Sequence, residues 1–156
     1  MERFSTFVLR ILLALAFIVL QPCAAKADME ADALKGLKSF QVLVEGIKPG
    51  CGLNSKEIEN SLRFVLSQSR IVVSDGQAPM IYSSVTISGD NCTTAQIELW
   101  VTTPVNIIVS KRWTIATIWN KSILVSNNHD LGAEILRQTE SLAKRLVVDW
   151  SGANPR

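Results

Sequence analysis

Residues that carry chemistry are scarce in this chain. Among 156 residues there are one histidine, one tyrosine and three cysteines. One histidine, His129, with two cysteines that can bridge each other does not make a Cys/His zinc site. No acidic cluster has calcium-loop spacing, and no G-x-G-x-x-G or Walker-type loop occurs; Gly50-Cys51-Gly52 lacks the rest of a phosphate cradle. Asp130 adjoins His129, but neighbouring loop residues seldom converge on one substrate atom. No serine or free cysteine is placed to be their nucleophile. The expectation is a protein with no catalytic residues, no metal and no cofactor.

An excess of one charge is also missing once the amino terminus is set apart. Arg3 and Arg10 precede or flank an apolar run, Ile11 to Leu20, which Gln21-Pro22 ends. Ala25-Lys26-Ala27 then offers small residues at the two positions a signal peptidase reads, so residues 1–27 are expected to be a cleaved secretory leader. The apolar run of 10 residues is half of the roughly 20 that a spanning helix needs, so no stable membrane insertion is expected after cleavage. Pro22 directly before Cys23 argues against lipid modification of that cysteine, since a small residue normally precedes an acylated one. The leader removes Glu2, Arg3, Arg10 and Lys26, which leaves thirteen basic and thirteen acidic residues. A nucleic-acid partner, or an anionic membrane, would call for a basic excess that the neutral remainder lacks.

What is present is enough chain for one domain with a core. Residues 28–38 are polar and alanine-rich, expected to be a flexible arm or at most one helical turn. The domain itself is expected over 39–152, followed by a tail at 153–156. Gln41 to Ile47 reads as a largely buried strand that Lys48-Pro49-Gly50 stops. Asn54 and Glu57 then form a capping-box pattern, with Leu53 and Ile58 placed as a hydrophobic staple. Ile58, Leu62, Val65 and Leu66 share one helical face, and the helix is expected to end near Gln68.

Beyond a short apolar run at 71–74 and a loop at 75–79, Met80 to Ser88 alternates with period two. Thr94 to Thr102 does so again, and Pro104 then demands an edge or a bulge before Val105 to Val109. Trp113 to Trp119 reads as a strand, Ile123 to Ser126 as a separate shorter one. The last helix is expected from Leu131 to Trp150, with Gly152 as its terminator and Pro155 preventing resumption. The fold class is α+β: a single β-α-β-β-β-α domain with a mostly antiparallel sheet and two helices on one face.

In an exported chain Cys51 and Cys92 read as one disulfide. Cys51 would be a reactive thiol only if Cys92 did not pair with it. If the first strand and 80–88 run parallel through a right-handed crossover, both end at one edge of the sheet, where these cysteines follow them. Asn91-Cys92-Thr93 and Asn120-Lys121-Ser122 match the glycosylation sequon, which matters only in a eukaryotic secretory pathway.

The element order resembles domains of bacterial envelope proteins. These are the amino-terminal domain of the Tol-system translocation protein, the lipoprotein activators of cell-wall synthases and the periplasmic part of the curli secretion channel. The resemblance is one of topology over the whole mature chain. Pro49-Gly50-Cys51-Gly52-Leu53 with Glu57, and Asn154-Pro155 near the end, is similar to small secreted bacterial proteins. The resemblances imply a periplasmic or secreted location and supply no catalytic residues.

The aromatics are the remaining lead. Parity places Tyr82 and Trp100 on the sheet face away from the helices. Trp113 and Trp119 are expected to share a face, though Ile115 between them leaves open which one. If outward, the four make an aromatic face suited to an envelope protein partner, a second copy of the chain, or a sugar ring. The alternative is that the tryptophans cap the core or lie under the 28–38 arm.

Overall fold

The computed structural model describes residues 29–47, 51–76, 79–88, 92–127 and 129–156. The leader expected over 1–27, and the strand stop expected at 48–50, lie outside them. Strands β1 (Ser39–Val44), β2 (Val72–Val73), β3 (Met80–Ser88), β4 (Thr94–Ile107) and β5 (Arg112–Ser126) form one mixed sheet in the order β2-β1-β3-β4-β5. Helices α1 (Ser55–Ser67) and α2 (Leu131–Ala153) pack side by side on one face of it, α1 over β1 and β2, α2 over β4 and β5. One further helical turn forms at 29–32. The class is α+β, as the alternation and helical periodicities predict, with antiparallel pairing from β3 to β5 and parallel pairing at β1.

Local signals explain most boundaries. The Asn54 side chain accepts from the Glu57 N–H at 3.0 Å while Glu57 Oε2 accepts from the Asn54 N–H at 3.0 Å, so the capping box closes and fixes the start of α1. Ile58, Leu62, Val65 and Leu66 are its buried residues. Within the apolar run at 71–74, Val72 and Val73 form the short strand β2, which adds to the outer side of β1 in parallel through Ser39↔Val72 and Phe40↔Val73. β1 and β3 pair in parallel as the crossover argument required.

Three expectations are corrected. The separate strands expected at 113–119 and 123–126 are one, because Asn120 and Ser122 face the open side of the sheet opposite Trp100 and Glu98. A polar triplet is then ordinary strand sequence. Gly152 does not end α2; the helix continues to Ala153 and Asn154 caps it. The stretch before β1 is not a free arm. Leu34 is fully buried, the Trp150 indole donates to the Leu37 carbonyl at 2.7 Å, and Asn154 holds the 34–36 turn from both sides. Its Oδ1 accepts from the Gly36 N–H at 2.7 Å, and its Nδ2 donates to the Leu34 carbonyl at 3.1 Å. Residue 154, expected in a tail, therefore ties both ends of the domain together.

The core between sheet and helices is apolar apart from Ser83 and Thr139, whose hydroxyls are buried with no hydrogen-bond partner among the described residues. A buried unsatisfied hydroxyl costs about 1–3 kcal/mol. Thr139→Val keeps the shape and removes the hydroxyl, so it is expected to raise stability by about 1 kcal/mol in urea unfolding.

At the carboxyl ends of β1 and β3, Cys51 and Cys92 are disulfide-bonded, with 5.6 Å between Cα atoms. The bridge lies against the start of α2, where Gly132 faces the Cys51 and Gly52 carbonyls. A Cβ there would stand 3.4 Å from the Cys51 oxygen.

Candidate functional site

The helices cover one face of the sheet and leave the other open. Register builds a row across four strands on that open face: Leu43 beside Tyr82, Tyr82 beside Trp100, Trp100 beside Asn120. The Tyr82 and Trp100 rings stack, with centroids 5.2 Å apart and planes 12° from parallel. Such a pair contributes beyond its buried area and holds both rings in place. Both rings are half-buried and Leu43 is exposed. Mostly polar side chains frame the row: Ser84, Glu98 and Ser122 on one side, and Gln41, Met80, Thr102 and Thr117 on the other.

Glu45 belongs to the same face. The Ser84 and Tyr82 hydroxyls donate to its carboxylate and hold it below the usual carboxylate range. The Tyr82 phenol is pushed up by desolvation, then by its hydrogen bond to Glu45 and by that carboxylate's charge. A depressed carboxylate is linked to structure with a definite sign: the contact is present above the unfolded-state pKa and is lost as pH falls through the folded one. Tyr82 ring resonances are therefore expected to titrate with a midpoint below that of an ordinary glutamate, and Ser84→Ala should raise that midpoint. An unmoved midpoint in the variant would remove Ser84 as the main cause.

The tryptophans of β5 do not share a face. Val101 pairs with Trp119 and Thr102 with Thr117, so Ile118 is an extra residue that reverses the alternation. Trp119 turns inward and is only 1% exposed, while Trp113, opposite Asn106, faces the open side at 71% exposure. Trp119 is a core residue whose indole donates to Asp149 of α2 at 2.9 Å. The expected set of four therefore reduces to Tyr82, Trp100 and Trp113, with Trp113 on the ribbon beyond Thr102. The docked 29–37 segment does not cover them. Its Glu30 pairs with Lys121, which sits opposite the core residue Leu99 and so on the helix side of β5.

His129 is exposed in the loop before α2, its N–H donating to Asn127 Oδ1 at 2.8 Å. Asp130, beside it, caps α2 by accepting from the Ala133 N–H. Each is thus accounted for by the turn that starts the helix. Among the described residues no three His, Cys, Asp or Glu side chains converge as a metal site would require.

One feature has no local sequence signal. Leu37, Lys38, Arg70, Val72, Trp150 and Asn154 line a groove of about 390 Å³ beside β2. Arg70 lies over the Trp150 ring, 5.4 Å from its centroid, and donates to the Asn154 carbonyl at 2.9 Å. The walls of the groove come from three separate stretches of chain, which only the fold brings together.

Compared with protein-family models and with curated proteins, the chain matches none. Among solved structures it is similar to a minor lipoprotein from Acinetobacter baumannii, at 14% identity and a TM-score of 0.26, over 74% of this chain and 84% of that one. It is also similar to the rare lipoprotein B from Shewanella oneidensis, at 10% identity and a TM-score of 0.29, over 74% of this chain and 95% of that one. Neither is one of the envelope proteins whose element order the sequence resembles, and likeness at this level does not extend to function.

Proposed function

We propose that this is an exported, disulfide-stapled, non-catalytic interaction module of a bacterial envelope that docks a protein partner through its open sheet face. The observation that carries the reading is the Leu43–Tyr82–Trp100 row, left uncovered by both helices and by the amino-terminal segment, within a mostly polar surround. An apolar, aromatic centre inside a polar rim is the anatomy of a protein interface. Tyr82 and Trp100 are pre-ordered by their stack, so little side-chain freedom is lost on docking. The address rests on the leader pattern at 1–27 and on the one bridge that an oxidising compartment favours.

Site-specific photocrosslinking in intact cells tests the docking surface. A crosslinker at Leu43 or Leu124 on the open face should give a discrete adduct, whereas one at Lys56 or Arg137 on the helix layer should not. Equal adducts from both sets, or none from the open face, would sink the reading. A sugar ligand is the competing outcome: tryptophan fluorescence that responds to soluble cell-wall fragments, with no protein adduct, would replace the protein partner. Intact mass of the exported protein tests the address, since cleavage before Asp28 is expected and an acylated Cys23 would overturn it.

A further inference from the structure

The distal end of the β4–β5 hairpin plays no part in the core. β3 begins at Met80, paired with Thr102, so from Thr103 onward the sheet narrows to a two-stranded ribbon that ends at Ile107↔Arg112. Its tip is apolar and uncovered: Ile108 is 89% exposed and Val109 98%, with Ile107, Trp113 and Ile115 exposed behind them. Burying none of this in the fold leaves a cluster of large apolar side chains in water, which a soluble surface normally avoids.

Charge says what the tip fits. From Leu99 to His129 there is no acidic residue, while Lys111, Arg112 and Lys121 fall in that stretch. Lys121 is paired with Glu30, but Lys111 and Arg112 have no ion-pair partner among the described residues. The neutrality of the chain beyond its leader thus conceals a local separation of charge, which total charge alone does not reveal. We propose that the β4–β5 hairpin tip is a peripheral membrane-docking element, seating Ile107, Ile108 and Val109 at the interface of a bilayer with anionic headgroups.

The parts match what such a surface requires. Aliphatic side chains at the turn enter the boundary between headgroups and acyl chains, and the two cations stay at headgroup level. Trp113, next to those cations, is of the type enriched at membrane–water interfaces. Backbone groups of the ribbon are paired down to Ile107 and Arg112, so only the short turn between them has to leave its polar groups among headgroups. A second copy meeting tip to tip would bring Lys111 and Arg112 against their own like charges, which disfavours it. The insertion is shallow; among the described residues no helix is long and apolar enough to cross a membrane.

The test uses protein purified after export, so that the apolar leader does not itself bind lipid. Vesicles of phosphatidylglycerol mixed with phosphatidylcholine are expected to sediment the protein, with less bound as salt is raised. Pure phosphatidylcholine vesicles should sediment far less. Ile108→Asp with Val109→Asp should weaken binding roughly tenfold or more, with an unchanged melting temperature because both sites are exposed. Lys111→Glu with Arg112→Glu should weaken binding to the anionic vesicles alone. A lipid-induced blue shift of tryptophan emission should disappear in Trp113→Phe. No binding to either vesicle, or binding undiminished by the aspartates, overturns the proposal. So does a dimer in sedimentation velocity that the aspartates abolish when lipid is not bound. Crosslinking from Leu43 and Leu124 reads a different surface, so failure here and failure of the protein-partner reading are separable.

Discussion

Trp119→Ala is expected to destabilise the protein by about 4 kcal/mol, in the range that buried tryptophan truncations reach. Trp119 is among the largest fully buried side chains, and its loss leaves a cavity between β5 and α2 that the surrounding strands can only partly close. Two polar consequences add to the cavity. Asp149 loses the indole N–H that it accepts at 2.9 Å, and the Lys121 ammonium loses the ring that lies 5.7 Å from it. Trp119→Phe should keep most of the packing and lose the hydrogen bond, so its cost should be well under half that of alanine. Urea unfolding of both variants checks the order. A loss below about 1 kcal/mol for Trp119→Ala would mean that the side chain is not in the core, because exposed truncations stay near that limit.

The same residue shows where sequence stops being legible. Period-two alternation placed Met80–Ser88 at its observed boundaries and assigned the face of Tyr82 and Trp100, because β3 and the first half of β4 run without interruption. In β5 the six-residue spacing from Trp113 to Trp119 says one face, and Ile118 makes the answer two. No residue type marks that bulge; Ile118 is as good a strand residue as any. Pro104 hinted at an irregularity, but it lies on the other strand, where the sheet has narrowed to the ribbon and an edge-tolerant residue is accommodated.

Long-range packing was illegible for a different reason. Leu34 and Asn154 are apolar and polar residues near chain ends, where composition argues for fraying. They are fixed by each other and by Trp150, a partnership across about 120 positions that no local pattern encodes. The groove beside β2 is hidden in the same way. Helix α1 is the opposite case, since every feature that starts it lies within five residues of sequence. The hairpin tip lies between these cases: its composition is plain, but its exposure depends on β3 reaching no further along β4 than Thr102.

Opening the Cys51–Cys92 bridge is expected to cost about 4 kcal/mol, because it releases a loop of 41 residues in the unfolded chain. That is a large share of the 5–15 kcal/mol typical of a small domain. The location makes the effect global. The bridge joins the segments after β1 and β3, the parallel pair at the centre of the sheet, and the Cys51–Gly52 backbone abuts Gly132 in the first turn of α2. Cys51→Ser with Cys92→Ser should therefore lower the urea midpoint sharply, and wild-type protein in reductant should fall to the same value. Thiol labelling of the oxidised native protein should find neither cysteine. A double variant as stable as the wild type would show that packing alone holds this edge. If the loss is as large as expected, a leaderless chain made in a reducing compartment should accumulate poorly. The stability of the fold and the compartment in which it works would then depend on the same covalent bond.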